Sequence, residues 1–393
     1  MLRKNRLFTP GPTPLHPAAQ RAMAAADVHH RTADFRTLYS RVLKDLQTFV
    51  GTANDVLLLA SSGTGAMEAS VSNFTSPGDE VVVLTAGKFG ERWGELAKAY
   101  GCAARTVSAE YGQTFASASL AAAFTANTRA VYVQATESST GVRHDIAAIA
   151  RLAHEKAPDA LLVVDAITGL GTTALDVDGW GIDVIIGGSQ KATMVPPGLA
   201  YLAVSERAWR RMESAKSPRY YFDLRKERKA AAKGESAFTP AVALIAGLGA
   251  ALEFVRAMGD GDLARGRAAL IANAELAAEM TRAAATALSL QLFAAAPAAA
   301  LTAIMPPANI SSGALVKAFR EQFAAVVADG QGEMKGKMIR IAHLGYYDYL
   351  DTVGIIAALE QVLASVVPGH VEFGVGVAAA QRVYARATSA AHA

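Results

Sequence analysis

The chain is 393 residues long, 52% hydrophobic and 19% charged, and its 38 Lys and Arg against 35 Asp and Glu leave a net charge of +3. A chain of this length and apolar content buries a large core in more than one domain, and a charge this near balance, with no basic patch interleaved with aromatics, argues against nucleic acid as a partner. The single cysteine, Cys102, excludes an intramolecular disulfide framework and any cysteine-cluster metal site.

In chain order, a proline-rich segment containing TPGPTPLHP (9–17) precedes a series of apolar runs: VLLLA (56–60), EVVVLTA (80–86), AVYVQAT (130–136), LLVVDA (161–166), DVIIGGS (183–189) and LAYLAVS (199–205). These runs are near-continuous rather than alternating, as strands covered on both faces are. Between them, GERWGELAKAYG (90–101) and HDIAAIARLAHEKA (144–157) carry helical periodicity. The pattern predicts an α/β fold with a mainly parallel sheet covered by helices, and ligands at the carboxyl ends of its strands. RKERKAAAK (225–233) reads as a solvated helix face or loop, and the alanine-rich stretch 243–286 as a long helix or a helix pair. Beyond it, SLQLFAA (289–295), ALTAIMP (300–306), FAAVVAD (323–329) and MIRIAHL (338–344) are strand candidates and GALVKAFREQF (313–323) a helix, giving a smaller α/β domain; after EFGVGV (372–377) the tail is helical or frayed. The expected division is an N-terminal segment 1–16 near the active site, a large domain 17–262 and a small C-terminal domain 263–393. No secretory signal pattern opens the chain, and no apolar stretch reaches spanning length free of charge or turn residues, so the expected address is cytoplasmic, without a membrane partner.

Chemistry concentrates at three strand ends. Lys191, in GGSQKATMVPPG (187–198), follows an apolar run and is flanked by glycines and prolines, a place where an amine is partly desolvated and fixed. Such an amine forms a Schiff base. Asp165 ends LLVVD (161–165), so a carboxylate and an amine project from neighbouring strand ends into one crevice, the pairing that pyridoxal phosphate (PLP) requires. The third end is the turn Ser61-Ser62-Gly63-Thr64-Gly65, ahead of a helix-favouring stretch. Amides at a helix N-terminus beside hydroxyls make an anion site, and the spacing suits a phosphate monoester rather than a nucleotide or dinucleotide.

Taken in order, SSGTGAMEA (61–69), TESSTGV (136–142), VVDAITGLG (163–171), GGSQKATMVPPG, FTPAV (238–242) and IRIAHLG (339–345) resemble the class V aminotransferases of PLP fold type I. The subgroup they look most like holds alanine–glyoxylate, serine–glyoxylate and serine–pyruvate aminotransferases. The resemblance implies that Lys191 holds the cofactor covalently and shuttles a proton, that Asp165 keeps the pyridine nitrogen protonated, and that Ser62, Gly63 and Thr64 bind the phosphate with Gln190 as a further donor. It implies that Phe89 stacks on the cofactor ring, that Ser138 contacts the cofactor, and that Thr239 reaches the phosphate of the partner in a homodimer with shared sites. Thr239 also reads as the N-cap of a helix with Pro240 at its first position. The family often has a tyrosine where this chain has Ser236, so a second contact across subunits is shortened or lost. Arg340, between Ile339 and Ile341 in a strand pattern, is the candidate for the substrate carboxylate, with a structural ion pair as its rival reading. Gly11 and Pro12 would bring backbone close to the substrate, and His30 and Arg31 would line the mouth of the site. No metal is expected, since His29 and His30 have no companion set with ligand spacing.

The expected function is PLP-dependent transamination between a small amino acid, alanine or serine, and a 2-oxo acid, glyoxylate or pyruvate. Two alternatives stand beside it. One is another enzyme of this fold, such as a lyase or a cysteine desulfurase, although Cys102 lies far upstream of the loop a desulfurase uses. The other is a non-catalytic subunit that keeps the fold, a label attached to some hydrogenase-associated chains; it needs none of Lys191, Asp165 and Arg340.

Overall fold

Runs of Val, Leu and Ile with no polar face must be covered on both sides, and the six central runs pair into one sheet. The computed structural model describes residues 3–367, 369 and 371–391. Its larger sheet has seven strands in the spatial order Asp55–Leu59, Ala200–Val204, Val184–Gly188, Leu161–Asp165, Ala130–Gln134, Glu80–Thr85 and Ala103–Ser108. Ala200–Val204 runs antiparallel to both neighbours, and the other neighbouring pairs are parallel. Alternate residues supply two cores. Val131, Val133, Leu162 and Val164 pack with Phe35, Leu46 and Leu248 on one face; Tyr132, Leu161 and Val163 pack with Met67, Phe74 and Trp93 on the other. The seventh strand, AARTVS, is almost wholly exposed. An edge strand with one neighbour needs no two-sided apolar run, so it leaves little trace in the hydrophobic pattern.

The alanine-rich stretch is a pair of helices, Val242–Met258 and Leu263–Ala287, bent by 83°. The bend falls where Asp260 and Gly261 have positive φ. There Asp262 caps the second helix by accepting from the amides of Ala264 and Arg265 at 2.8 and 3.1 Å. The smaller sheet runs Arg6–Phe8, Ala325–Asp329, Ile339–Ala342, Leu301–Ile304. Three of the four candidate runs supply its strands; 289–295 does not, making only an isolated bridge from Leu292 to Ile304. The bridge is closed by the Phe293 amide donating to Ala303 O at 3.0 Å and the Met305 amide to Gln291 O at 2.8 Å; beyond it the segment leaves the sheet, since Ala295 donates to Gly112 O at 2.8 Å and Phe293 packs against Gly112. The fourth strand is Arg6–Phe8, which pairs in parallel with Ala325–Val327 at the opposite edge of the sheet.

The tail forms the helix Val375–Ala391, and residues 392–393 lie outside the described part. The basic stretch forms the helix Leu224–Ala231, which exposes Arg225, Lys226 and Lys229, buries Leu224 and Glu227, and pairs Arg228 with Asp55 and Glu206. One helix, Tyr349–Val366, is long and apolar enough to cross a membrane by length and composition. It carries Asp351 and Glu360 and buries Leu359, Val362 and Leu363 with the smaller sheet.

Candidate active site

The antiparallel pairing of Val184–Gly188 with Ala200–Val204 forces the chain to reverse within residues 189–199 at the carboxyl edge of the larger sheet. Lys191 sits in that reversal. Val195 donates to Ser189 O and Met194 to Lys191 O, both at 3.0 Å, with Met194 held at φ 56°. The N-terminal segment laces onto the loop: Thr13 donates through its amide to Gln190 O at 3.2 Å and through its hydroxyl to Lys191 O at 2.9 Å. The Lys191 ammonium donates to Pro10 O at 2.6 Å. A Cβ at Gly11 would lie 2.6 Å from Nζ, so only glycine lets the backbone pass this close.

Lys191 lines a cavity of about 240 Å³ with Gly11, Pro12, Ser62, Gly63, Thr64, Phe89, Ser138, Asp165 and Gln190. Burial lowers the Lys191 pKa to about 8; the Asp165 charge opposes the shift and the Arg340 charge adds to it. Burial raises the Asp165 pKa to about 6 against the amide of Ile167, which donates to its Oδ1 at 2.9 Å. A buried site thus holds an amine and a carboxyl that each resist ionisation, a signature common among groups used in chemistry.

Around this pair, Ser62 is the N-cap of the helix Gly63–Phe74 but makes no side-chain capping bond, so its hydroxyl is not consumed by the helix. Phe89 is half-buried on the first turn of Lys88–Ala99. Its amide and that of Gly90 donate to the Glu137 carboxylate at 3.1 and 3.0 Å. Ser139 donates to the same carboxylate through its amide at 3.1 Å and its hydroxyl at 2.6 Å. Burial pushes the Glu137 pKa up while these four donors hold it down; a carboxylate at a helix N-terminus is well placed to accept them. The carboxamide oxygen of Gln190 and the hydroxyl of Thr136 are buried without a partner, and both side chains line the cavity.

Arg340 approaches from the smaller sheet, with Ile339 and Ile341 turned into that sheet's core. It donates to Ser138 O at 2.7 Å and to Asp329 O at 3.1 and 2.6 Å. Burial lowers its pKa to about 10. These partners are neutral carbonyls, so Arg340 is not half of an ion pair. Arg31 and Thr239 are not brought to Lys191 within this chain; with His30, Glu235, Ser236 and Phe238 they line a separate cavity of about 260 Å³. Thr239 does not cap the following helix either, because Ala241 occupies the N-cap. Cys102, half-buried, donates to Thr75 Oγ1 at 3.4 Å and does not line the cavity. Among the described residues no group of His, Cys, Asp or Glu side chains is placed to hold a metal ion.

Sequence reasoning missed Arg92, Thr136, Thr168 and the Pro10 carbonyl at this site. Arg92 had a signal, since it follows Phe89 by three positions and so shares its helix face.

A family model described as Aminotransferase class-V matches residues 18–296. The chain is 40% identical to a protein of Synechococcus sp. named Soluble hydrogenase, small subunit, over 98% of this chain and 100% of that one. It is 32% identical to the L-aspartate–glyoxylate aminotransferase of Paracoccus denitrificans, over 100% of this chain and 99% of that one. The crystal structure of the subgroup IV aspartate aminotransferase from Thermus thermophilus aligns with a TM-score of 0.86 at 33% identity, covering 92% of this chain and 100% of that one.

Proposed function

The chain belongs to the class V aminotransferases, PLP-dependent enzymes of fold type I, and from that premise we propose that it exchanges an amino group between alanine or serine and glyoxylate or pyruvate. The observation that carries the reading is the buried amine of Lys191 sharing one cavity with the Asp165 carboxyl; Arg340 is not part of that cavity's lining but lies near enough for its charge to lower the Lys191 pKa, and among the described residues it donates only to carbonyls.

The residues present fit the cofactor. The orphaned Gln190 oxygen and Thr136 hydroxyl call for polar partners that the described residues do not supply, and the uncapped Ser62 with the first amides of Gly63–Phe74 makes an anion site. Ser62, Gly63 and Thr64 would hold its phosphate with Gln190 as a further donor, Phe89 its ring face, Ser138 its polar edge, and Asp165 its pyridine nitrogen. Once bound, PLP supplies an electron sink for the substrate α-carbon. Lys191, with a pKa near 8, is neutral in a useful fraction of molecules at physiological pH and so serves as nucleophile and as the base that takes and returns the α-proton. Asp165 would place a negative charge beside the pyridine nitrogen and favour the protonated ring. Arg340 would orient the substrate carboxylate, and Gly11 and Pro12 form the wall beside Lys191. Of these residues Lys191 and Asp165 are catalytic; the others bind.

We further propose a cytoplasmic homodimer in which Thr239 and Arg31 serve the partner's site. Their shared cavity on the surface of one chain, away from Lys191, supports this. The test is a panel of amino donors and oxo acid acceptors at saturating PLP, with borohydride reduction and peptide mapping of the labelled lysine. Transamination with the label on Lys191 is expected; a label on another lysine would remove the assignment. Cofactor binding with no turnover of any donor would favour instead the non-catalytic reading that the hydrogenase-subunit relative raises.

A further inference from the structure

A phosphate monoester near neutral pH carries between one and two negative charges, yet Ser62, Gly63, Thr64 and Gln190 offer it only neutral donors. Among the residues lining the cavity, positive charge is carried by Lys191 and Arg92 alone, and the lysine is committed to the chemistry. Arg92 stands on the helix Lys88–Ala99, three residues after Phe89, with its guanidinium carbon 4.9 Å from the centre of the Phe89 ring. Its Nη1 donates to Thr64 Oγ1 at 3.1 Å. Among the described residues no carboxylate pairs with it: the adjacent Glu91 is held by Lys88 and Tyr111. Thr64 accepts this bond and donates its own proton to nothing else in the described chain.

We propose that Arg92 is a positioning residue for the cofactor phosphate that acts through Thr64. The inference rests on the PLP reading above. The guanidinium occupies the hydroxyl oxygen as its donor, so the Thr64 proton is left for the phosphate, and an O–H whose oxygen accepts from a cation is the stronger donor. The same guanidinium holds the Phe89 ring by a cation–π contact. One side chain therefore sets the phosphate turn and the ring-stacking face relative to each other, and brings the charge that the turn lacks.

The test uses cofactor-free protein titrated with PLP and with pyridoxal, which has the same ring and aldehyde but no phosphate, for wild type, Arg92→Gln, Thr64→Ala and the double variant. Arg92→Gln is expected to weaken PLP on the order of tenfold to a hundredfold, the range for a hydrogen bond involving a charged group, and to weaken pyridoxal, which meets only the Phe89 ring face, several times less. In the Thr64→Ala background it should add little. Equal losses for PLP and pyridoxal would mean that Arg92 only packs the ring, and additive losses in the double variant would mean that it does not act through Thr64; either overturns the inference. Should Arg92→Gln fail to fold, the ratio of PLP to pyridoxal affinity is read on Arg92→Lys, expected between wild type and Thr64→Ala and overturning the inference if it equals wild type. A wild-type protein that binds neither compound would overturn the cofactor reading itself.

Discussion

Replacing Lys191 by methionine removes a buried ammonium while keeping an unbranched side chain, and it should make the cofactor-free protein more stable. The unfolded chain holds this proton with the ordinary pKa of 10.5, the folded chain with about 8. At about 1.4 kcal/mol per factor of ten in proton affinity, the native state of wild type carries a penalty of about 3 kcal/mol wherever both states are protonated, that is below pH 8. Because the folded pKa is the lower one, the unfolded chain binds more protons between pH 8 and 10.5. The penalty therefore fades as pH rises, to below about 1 kcal/mol by pH 10. Against the gain stands the bond to Pro10 O, worth about 1 kcal/mol; the attraction to Asp165 is already contained in the folded pKa of about 8. The net expectation is a gain of about 1–2 kcal/mol at pH 7, read from urea unfolding of both cofactor-free proteins at pH 7 and pH 10. A variant no more stable than wild type at pH 7, or one with the same advantage at both pH values, would refute the argument that burial of this amine is costly.

Asp165→Asn keeps the shape and removes the charge, so PLP affinity should drop modestly and transamination steeply; near-normal rates would mean that another group holds the pyridine nitrogen. Cofactor-free wild type should lose about 3 kcal/mol relative to this variant as pH rises from 3.8 through about 6, since the folded carboxyl keeps its proton longer than the unfolded one. Arg340→Ala should raise KM for amino acid and oxo acid alike, by a loss of about 2–5 kcal/mol in binding, and leave amines without a carboxylate nearly indifferent; equal loss for both classes would make Arg340 structural. Mixing inactive Lys191→Ala protomers with inactive Thr239→Asp protomers should restore part of the activity, because each heterodimer has one site with both residues intact; heterodimers without activity would remove the shared site.

What the sequence made legible is what lies next to a strand end in the chain. Lys191, Asp165 and the Ser62–Thr64 turn each follow an apolar run that announces itself, and the structure gathers all of them at one cavity. Arg340 was readable from alternation, since a guanidinium between two isoleucines in a strand must face away from the core they share. Glu137 was inside a motif that drew attention to its neighbour Ser138, but nothing local tells that a carboxylate there is buried against the helix bearing Phe89. Arg92 joins Thr64 from 28 positions away, and no periodicity records such a meeting. Arg6–Phe8 is three residues with one of them buried, too short to show a period, and its strand exists only because Ala325–Val327 offers an edge.

The segment from Arg6 to Thr13 has a mechanical consequence. Phe8 is paired to Val327 in the smaller sheet, and Pro10, two positions on, accepts from the Lys191 ammonium at the edge of the larger one. Thr9 is the only residue between them, and its hydroxyl is tied to Pro12 O at 2.7 Å. Two residues of extended chain span at most about 7 Å, so this tether has almost no slack. Any shift of the smaller sheet by more than a few ångströms must drag the Pro10 carbonyl from the amine or unzip Arg6–Phe8. The reactive nitrogen therefore registers, through two peptide units, where the far sheet stands.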